Sequence, residues 1–389
     1  MWLAAVVVAS TNSASLPAYE ARPPACERRA AYAGPAVRNL DWQGLNDSVS
    51  DAALPPDIAQ SLDSAFSTVR EGIYAPAMSA ALLLPGQGLW QTKTTPPDAP
   101  LLFWASAGKV ATAVVVLQLV EEGRISLDDR VSRWIAGVPN GNLITIGDLL
   151  GHTSGLFSAN EDKKIARKPH FLDLPEQLEI VRRHGSLFCP GAGWRYSNTG
   201  YSLLGEIVEK VDGVPVEEAI TRRIIEPLHL RTMRALRPGG SSDGVAPPTS
   251  AKGAPIQPSW PGAAGPIVSD AADMARFLGA LLAGRLVKRE TVTSMLARMY
   301  PMFDAGTFYG LGLMLFDVPD GDRTLRWIGH AGGVPGASAI VAYSQADNAI
   351  VAVALTGDGS AAAVANFLLK TLTKTGVDTT LTAGKPPRR

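Results

Sequence analysis

The chain has little cysteine: 389 residues hold two, Cys26 and Cys189. Two thiols make neither a disulfide framework nor a metal cluster, and no His-Glu-x-x-His sequence replaces one. A single bridge between them is open, but Cys189 reads better as a small buried apolar residue. Charge is also scarce. Charged residues are 19% of the chain and cancel, 36 basic against 36 acidic. That balance, with no basic run, leaves nothing to recognise nucleic acid. After the first residues no apolar run reaches the ~20 residues a membrane-spanning helix needs, so no transmembrane span is expected. Neither a metal nor another cofactor is expected. What is present is hydrophobic: 46% of residues, enough for a folded chain with a large core.

The first residues read as an imperfect or truncated export signal. Trp2 to Ala9 is an apolar run and Ser13-Ala14-Ser15 a small-residue stretch suited to cleavage, but the basic region is missing. The protein is therefore expected to be periplasmic or secreted, and cytoplasmic if the signal fails. Residues 1–55 form a leader, Pro-, Ala- and Arg-rich from residue 17. An amphipathic helix follows over Ile58–Val69. Met78–Pro85 and Gly88–Thr92 read as a hairpin across a Pro-Gly-Gln-Gly turn. From Ser106 to about Tyr300 the patterns are helical, over 106–122, 145–151, 174–184, 199–212, 216–225, 270–283 and 288–298. Within that span, 13 of the 30 residues of 237–266 are Gly or Pro. A loop of that length reads as a functional wall or lid in preference to a disordered insertion. Strand character returns at Leu311–Val318, Thr324–Ile328, Ser338–Ser344 and Ala349–Leu355, before a last helix over Ser360–Thr373. Strands at both ends with helices between imply an α/β (α+β) fold. Its antiparallel sheet is built from both termini, 56–105 plus 301–389, and is flanked by helices. A mainly helical domain, 106–300, is inserted.

One tetrapeptide stands out against this background. Ser106-Ala-Gly-Lys109 places a hydroxyl and an amine three residues apart where an apolar segment turns helical. Residues i and i+3 share a helix face, so the Lys109 amine can reach the Ser106 hydroxyl. A serine beside an unprotonated lysine is an activated nucleophile. The pattern is short, and roughly one chance match is expected in such a chain. Taken alone, Ser106 equally fits a helix N-cap and Lys109 a solvated lysine. Two further patterns lie downstream: Tyr196-Ser197-Asn198, and His330-Ala331-Gly332 followed by Gly333. Each has a bland alternative as well: a buried tyrosine, a helix N-cap at Asn198, a core histidine.

Together these patterns resemble the serine β-lactamase and penicillin-binding protein superfamily. The closer likeness is to its class C branch, with the D-alanyl-D-alanine carboxypeptidases and D-aminopeptidases of peptidase family S12 and the β-lactamase-like carboxylesterases. Supporting segments are Ile144-Thr-Ile-Gly-Asp-Leu-Leu-Gly-His-Thr-Ser-Gly-Leu156, Gly265–Arg276, Tyr309-Gly-Leu-Gly-Leu313 and Gly329–Gly336. The resemblance runs over roughly residues 58–373. It implies an active site between the sheet and the helical domain, and a serine hydrolase working through an acyl-enzyme. It further implies that Ser106 attacks a carbonyl, that Lys109 takes or relays its proton, and that Tyr196 polarises Ser106 and protonates the leaving group. Asn198 would hold Lys109 and the substrate amide. His330 would stand where a lysine opens the third motif. The backbone N–H groups of Ser106 and Gly333 would form the oxyanion hole, and Ala331 and Gly332 would line the substrate. Which of Lys109 and Tyr196 is the base stays open. His152, within the first supporting segment, is given a structural role.

Ala331 shapes the substrate expectation. In the carboxypeptidases and β-lactamases the resemblance implies a hydroxyl residue there, binding the substrate carboxylate. Ala331 donates nothing, which favours substrates without that carboxylate. The histidine leans to the peptidase side, since the family's esterases often carry Trp-Gly-Gly. The expected substrate is a small molecule or peptide, an amide or peptide containing a D-amino acid. A carboxylesterase is the alternative; β-lactamase, acyltransferase and non-catalytic binding module stand further off.

Overall fold

Two strands with hardly a polar residue set the architecture. Met78–Leu84 (β1) and Ala349–Thr356 (β11) are buried at every position. A strand buried on both faces belongs mid-sheet, with helices on either side. In the computed structural model, which describes residues 26–375 apart from 41, 43, 46–50, 252–253, 304–305 and 322, they pair antiparallel, Met78 opposite Leu355. The other strands are Gly88–Thr94 (β2), Leu102–Phe103 (β3), Arg234–Ala235 (β4), Ile267–Ser269 (β5), Tyr300–Pro301 (β6), Thr307–Tyr309 (β7), Met314–Asp320 (β8), Arg323–Val334 (β9) and Ala337–Ser344 (β10). The helices are Pro56–Gly72 (α1), Lys109–Glu121 (α2), Ile146–Leu150 (α3), Lys163–Arg167 (α4), Leu174–His184 (α5), Asn198–Asp212 (α6), Val216–Ile220 (α7), Ala271–Leu282 (α8), Arg289–Leu296 (α9) and Ala361–Lys374 (α10).

Eight strands form one antiparallel sheet in the order β2-β1-β11-β10-β9-β8-β7-β6, and β3-β5-β4 form a small second one. The large sheet draws on both ends of the chain, as the sequence pattern requires. Side chains alternate across β1. Ala80, Leu82 and Leu84 pack with Leu62 and Phe66 of α1 and Leu368 and Leu372 of α10. Ala81 and Leu83 face the other way, into a core shared with α2, α6 and α8. Each such leucine contributes ~1.5–3 kcal/mol on burial. The helix α2 has no polar face. Lys109 to Leu117 and Leu119 are all buried, so its first residue is held inside the protein.

The elements depart from the sequence reading where glycine or brevity misled it. The helix expected from Ser106 begins at Lys109, after a 3-10 turn over Ala105–Gly108. Neither element has a side-chain cap, which removes the N-cap reading of Ser106. The strand expected from Leu311 begins at Met314, because Gly312 turns the chain at φ 83. The strand expected to end at Ile328 continues to Val334 and carries His330-Ala-Gly-Gly333 within it. Pairing to β10, His330 opposite Val341 and Gly333 opposite Ser338, overrides the low strand propensity of the glycines.

Cys189 is not a lone buried thiol. It is bonded to Cys26, with the Cα atoms 5.6 Å apart and a sequence separation of 163. That separation hid the pair from sequence reasoning. The described segment around Cys26 forms no helix or strand and is fastened down. Arg29 pairs with Asp148, and the Ala30 and Ala33 amides donate to the Pro190 and Ala192 carbonyls at 3.0 and 2.9 Å. The expected export signal lies outside the described residues. Among those described, no helix is long and apolar enough to cross a membrane.

Candidate active site

Ser106 sits on the 3-10 turn between β3 and α2, partly exposed while Ala105, Ala107 and Gly108 are buried. The residue before it, Ala105, has φ 45, a strained value for a residue with a Cβ. Two glycines let backbone close on this turn. A methyl group at Gly332 of β9 would overlap the Trp104 carbonyl oxygen and lie 3.0 Å from the Ser106 amide nitrogen. One at Gly265 would lie 2.8 Å from the Ala105 carbonyl oxygen. At Gly333, by contrast, nothing lies within 4 Å of such a group. The strand therefore touches the serine turn at one residue and leaves room at the next.

Lys109 is fully buried. Its nitrogen lies 3.2 Å from the Ser106 hydroxyl, 2.7 Å from the Asn198 Oδ1 and 2.5 Å from the Ala264 carbonyl. As a neutral amine it donates its two N–H bonds to Asn198 and Ala264 and accepts from the Ser106 hydroxyl, and all three partners are uncharged. Burial holds the amine well below the ordinary lysine value, because a cation loses its hydration there and gains no counter-ion. The Ala264 carbonyl comes from the end of the Gly/Pro-rich loop 237–266, and Thr112 of α2 is tied to the adjacent Ala263 carbonyl at 2.8 Å. The loop closes the floor of the site, a contact with no signal in its composition.

Tyr196 approaches from the other side, with its ring centre 4.9 Å from the Lys109 amine. Its hydroxyl oxygen is buried and faces the Ser106 hydroxyl without a well-aligned hydrogen bond. Burial raises the phenol far above its ordinary value, and the neighbouring Ser106 hydroxyl pulls the other way. The group keeps its proton. Asn198 opens α6, but Ser197 is the cap, accepting from the Gly200 amide at 3.4 Å. The Asn198 side chain is thus free to take Lys109. Its Nδ2 donates to the Asn160 Oδ1 at 3.0 Å, and its backbone N–H to the Ser158 hydroxyl at 2.9 Å. Sequence reasoning missed Ser158 and Asn160, which belong to no recognisable pattern.

His330 is fully buried on β9. Burial, joined by repulsion from Lys109 when that amine is protonated, pushes it down to about 3, so it is neutral. Its Nε2 meets the Tyr309 hydroxyl at 3.2 Å, which meets the Tyr201 hydroxyl at 3.2 Å. His330 therefore puts no charge where a lysine would. Ala331 alternates to the opposite strand face and is 6% exposed, in an apolar cluster that Tyr196 flanks. Among the described residues no group of three or more His, Cys, Asp or Glu is placed to hold a metal ion. The structure thus brings Ser106, Lys109, Tyr196, Asn198, His330 and Gly332 to one place from four separate elements and a loop.

A buried amine on a serine, a phenol opposite and a glycine strand alongside define a class of protein. The chain belongs to the Beta-lactamase family, whose model matches residues 63–373. Among curated relatives it is similar to Penicillin-binding protein 4* of Bacillus subtilis (strain 168), 37% identical over 137 residues, 33% of this chain and 29% of that protein. It is similar to Esterase EstB of Burkholderia gladioli, 34% identical over 143 residues, 33% of this chain and 36% of that protein. The chain thus spans about a third of the length of these two relatives. Among solved structures it resembles a D-stereospecific amidohydrolase from Streptomyces sp., with 30% identity, TM-score 0.66, and coverage of 79% of this chain and 96% of that one.

Proposed function

We propose that this chain is a serine hydrolase that opens amide or ester bonds through an acyl-enzyme, with amides of D-amino acids ahead of esters. One observation carries the reading: a fully buried lysine amine, with neutral partners only, 3.2 Å from the Ser106 hydroxyl. An amine held deprotonated by burial is a base at neutral pH.

The roles follow from the electrostatics. Lys109 takes the Ser106 proton as Oγ bonds to the substrate carbonyl carbon. The oxyanion is met by the backbone N–H groups of Ser106 and Gly333, each such donor contributing ~3–4 kcal/mol to the transition state. Tyr196, which keeps its proton, gives it to the leaving nitrogen or oxygen as the carbonyl–leaving-group bond breaks. The Lys109 proton then restores Tyr196. Water repeats the sequence on the ester of Ser106 and releases the acid. Asn198 keeps the amine aimed, and Gly332 lines the substrate, while the Ala331 methyl is buried on the opposite face of the strand. The site lies between the sheet part, 56–105 with 301–389, and the helical part, 106–300.

Two features support the substrate class. His330 is neutral and Ala331 has no hydroxyl, so this edge of the site offers no charged anchor for a carboxylate beside the scissile bond. The full-length likeness to a D-stereospecific amidohydrolase points the same way, and the partial likeness to Esterase EstB keeps the ester reading second. The Cys26–Cys189 bond supports an oxidising location outside the cytoplasm.

D-alanine p-nitroanilide, p-nitrophenyl butyrate and a chromogenic cephalosporin test the reading. Turnover of the anilide or the ester, abolished by Ser106→Ala together with covalent labelling by a fluorophosphonate, is expected. Labelling that survives Ser106→Ala, or fast cephalosporin turnover with neither other substrate cleaved, overturns it.

A further inference from the structure

His152 lies beside the site, outside the groups that react. It is 1% exposed and holds φ 59, a left-handed backbone that few residues adopt. That conformation has a local consequence. The His152 carbonyl accepts the Arg195 amide at 2.9 Å, while its ring Nδ1 accepts the Ser197 amide at 3.2 Å. The residue between those two amides is Tyr196. The His152 ring also lies on the Tyr196 ring, with centroids 4.2 Å apart. Backbone on both sides and the ring itself are therefore held by one residue.

Because Nδ1 is an acceptor, the ring proton is on Nε2. That nitrogen is buried and has no hydrogen-bond partner among the described residues. Its surroundings are the rings of Trp194, Tyr196, Tyr201 and Tyr309, with centroids 4.2 to 6.0 Å from its own. A histidine kept only to fill the core needs neither the strained backbone nor a fixed tautomer. Leaving a buried donor unpaired is costly, and such costs persist where function fixes the geometry.

We propose that His152 is a positioning residue that sets the Tyr196 phenol against Ser106, through paired hydrogen bonds to the amides of Arg195 and Ser197. The inference rests on the role proposed for Tyr196.

The geometry selects its own variants. In His152→Asn the Oδ1 falls near the place of Nδ1, and asparagine tolerates left-handed backbone. In His152→Gln the polar atoms fall nearer Nε2, and the Ser197 amide loses its acceptor. With D-alanine p-nitroanilide and p-nitrophenyl butyrate, His152→Gln is expected to lower kcat by roughly 10- to 100-fold with KM little changed, and His152→Asn to recover most of that loss. The decisive measurement is the double-mutant cycle with Tyr196→Phe. With no phenol to position, the His152 substitutions are expected to cost less than about threefold in that background. Undiminished losses in the Tyr196→Phe background, or a glutamine variant as active as the asparagine one, overturn the proposal. Should the glutamine variant fail to fold, His152→Gly, which keeps the left-handed backbone and removes the Nδ1 acceptor, runs the same cycle. A Tyr196→Phe enzyme with wild-type kcat would instead remove the role of Tyr196, and this inference with it.

Discussion

Lys109 and Tyr196 face the same serine hydroxyl from surroundings of opposite character. The floor, on the Lys109 side, is saturated: the amine nitrogen has three polar partners, two acceptors and the Ser106 hydroxyl. The wall, on the Tyr196 side, is held by its backbone while the hydroxyl faces the Ser106 hydroxyl with no well-aligned hydrogen bond. The difference separates two tasks. A base that must be neutral before substrate arrives is best fixed in place and dehydrated, which only protein contacts can do. A proton donor that must reach a leaving group is best left with its hydroxyl open. The shifts agree with this division, since burial depresses the amine and raises the phenol, and both become neutral.

Removing the amine should break the floor outright. Lys109→Met keeps the length of the side chain and loses the base, and kcat/KM is expected to fall by about 10³- to 10⁴-fold. Stability should change by less than about 2 kcal/mol, because three lost hydrogen bonds are offset by no longer burying an amine. Steady-state kinetics and a thermal melt on the same preparation check both halves. A large loss of stability with activity intact would mean that Lys109 is a structural lysine.

Asn198→Ala sharpens the comparison with a smaller effect. It takes away one of the three partners, and roughly 10- to 100-fold in kcat/KM is expected. The direction of the pH profile is more telling than the size. Asn198 Oδ1 stabilises the ammonium form of Lys109 more than the amine. Without it the lysine loses its proton at still lower pH, so the acid limb of kcat/KM should move down. An acid limb that moves up, or stays, would show that Asn198 does not act on Lys109.

The sequence carries the floor better than the wall. Ser106 and Lys109 lie three residues apart on one local element, so spacing alone puts them together, and the uninterrupted apolar run after them implies that the lysine is buried. Tyr196 and Asn198 are locally patterned too, but what holds them is not. His152 sits 44 residues before Tyr196, and its grip depends on a left-handed backbone that no composition rule assigns to a histidine. Ala264 contributes only a carbonyl, which any residue has. The same reason separates the large sheet from the small one. Strands β1 and β11 announce themselves as unbroken apolar runs, whereas β3, β4 and β5 have two or three residues and no period to read. The disulfide was open to the sequence only as a possibility, because a bridge is a fact about the fold of a chain that separates the two cysteines by 163 positions.

The smallest expected effect concerns His330, which shares the floor's burial and has both ring nitrogens partnered, Nδ1 with the Ala331 carbonyl at 2.6 Å and Nε2 with the Tyr309 hydroxyl at 3.2 Å. In the folded protein it takes up a proton only near pH 3, while in the unfolded chain it does so near the ordinary value of about 6.5. Between those values the unfolded state binds the extra proton, so stability falls as pH falls through this window and is unaffected by His330 above it. The slope from one such histidine is about 1.4 kcal/mol per pH unit. Its imidazole is neutral at pH 7, so His330→Gln, which keeps a polar end for Tyr309, should leave stability there within about 1–2 kcal/mol. Toward pH 4 the variant should lose stability less steeply than the wild-type protein, by about that slope. Urea unfolding at a series of pH values reads the difference directly. Equal slopes would mean that folded His330 titrates normally and carries a charge in the site near pH 6, which would restore a cation beside Ala331 and return substrate carboxylates to consideration.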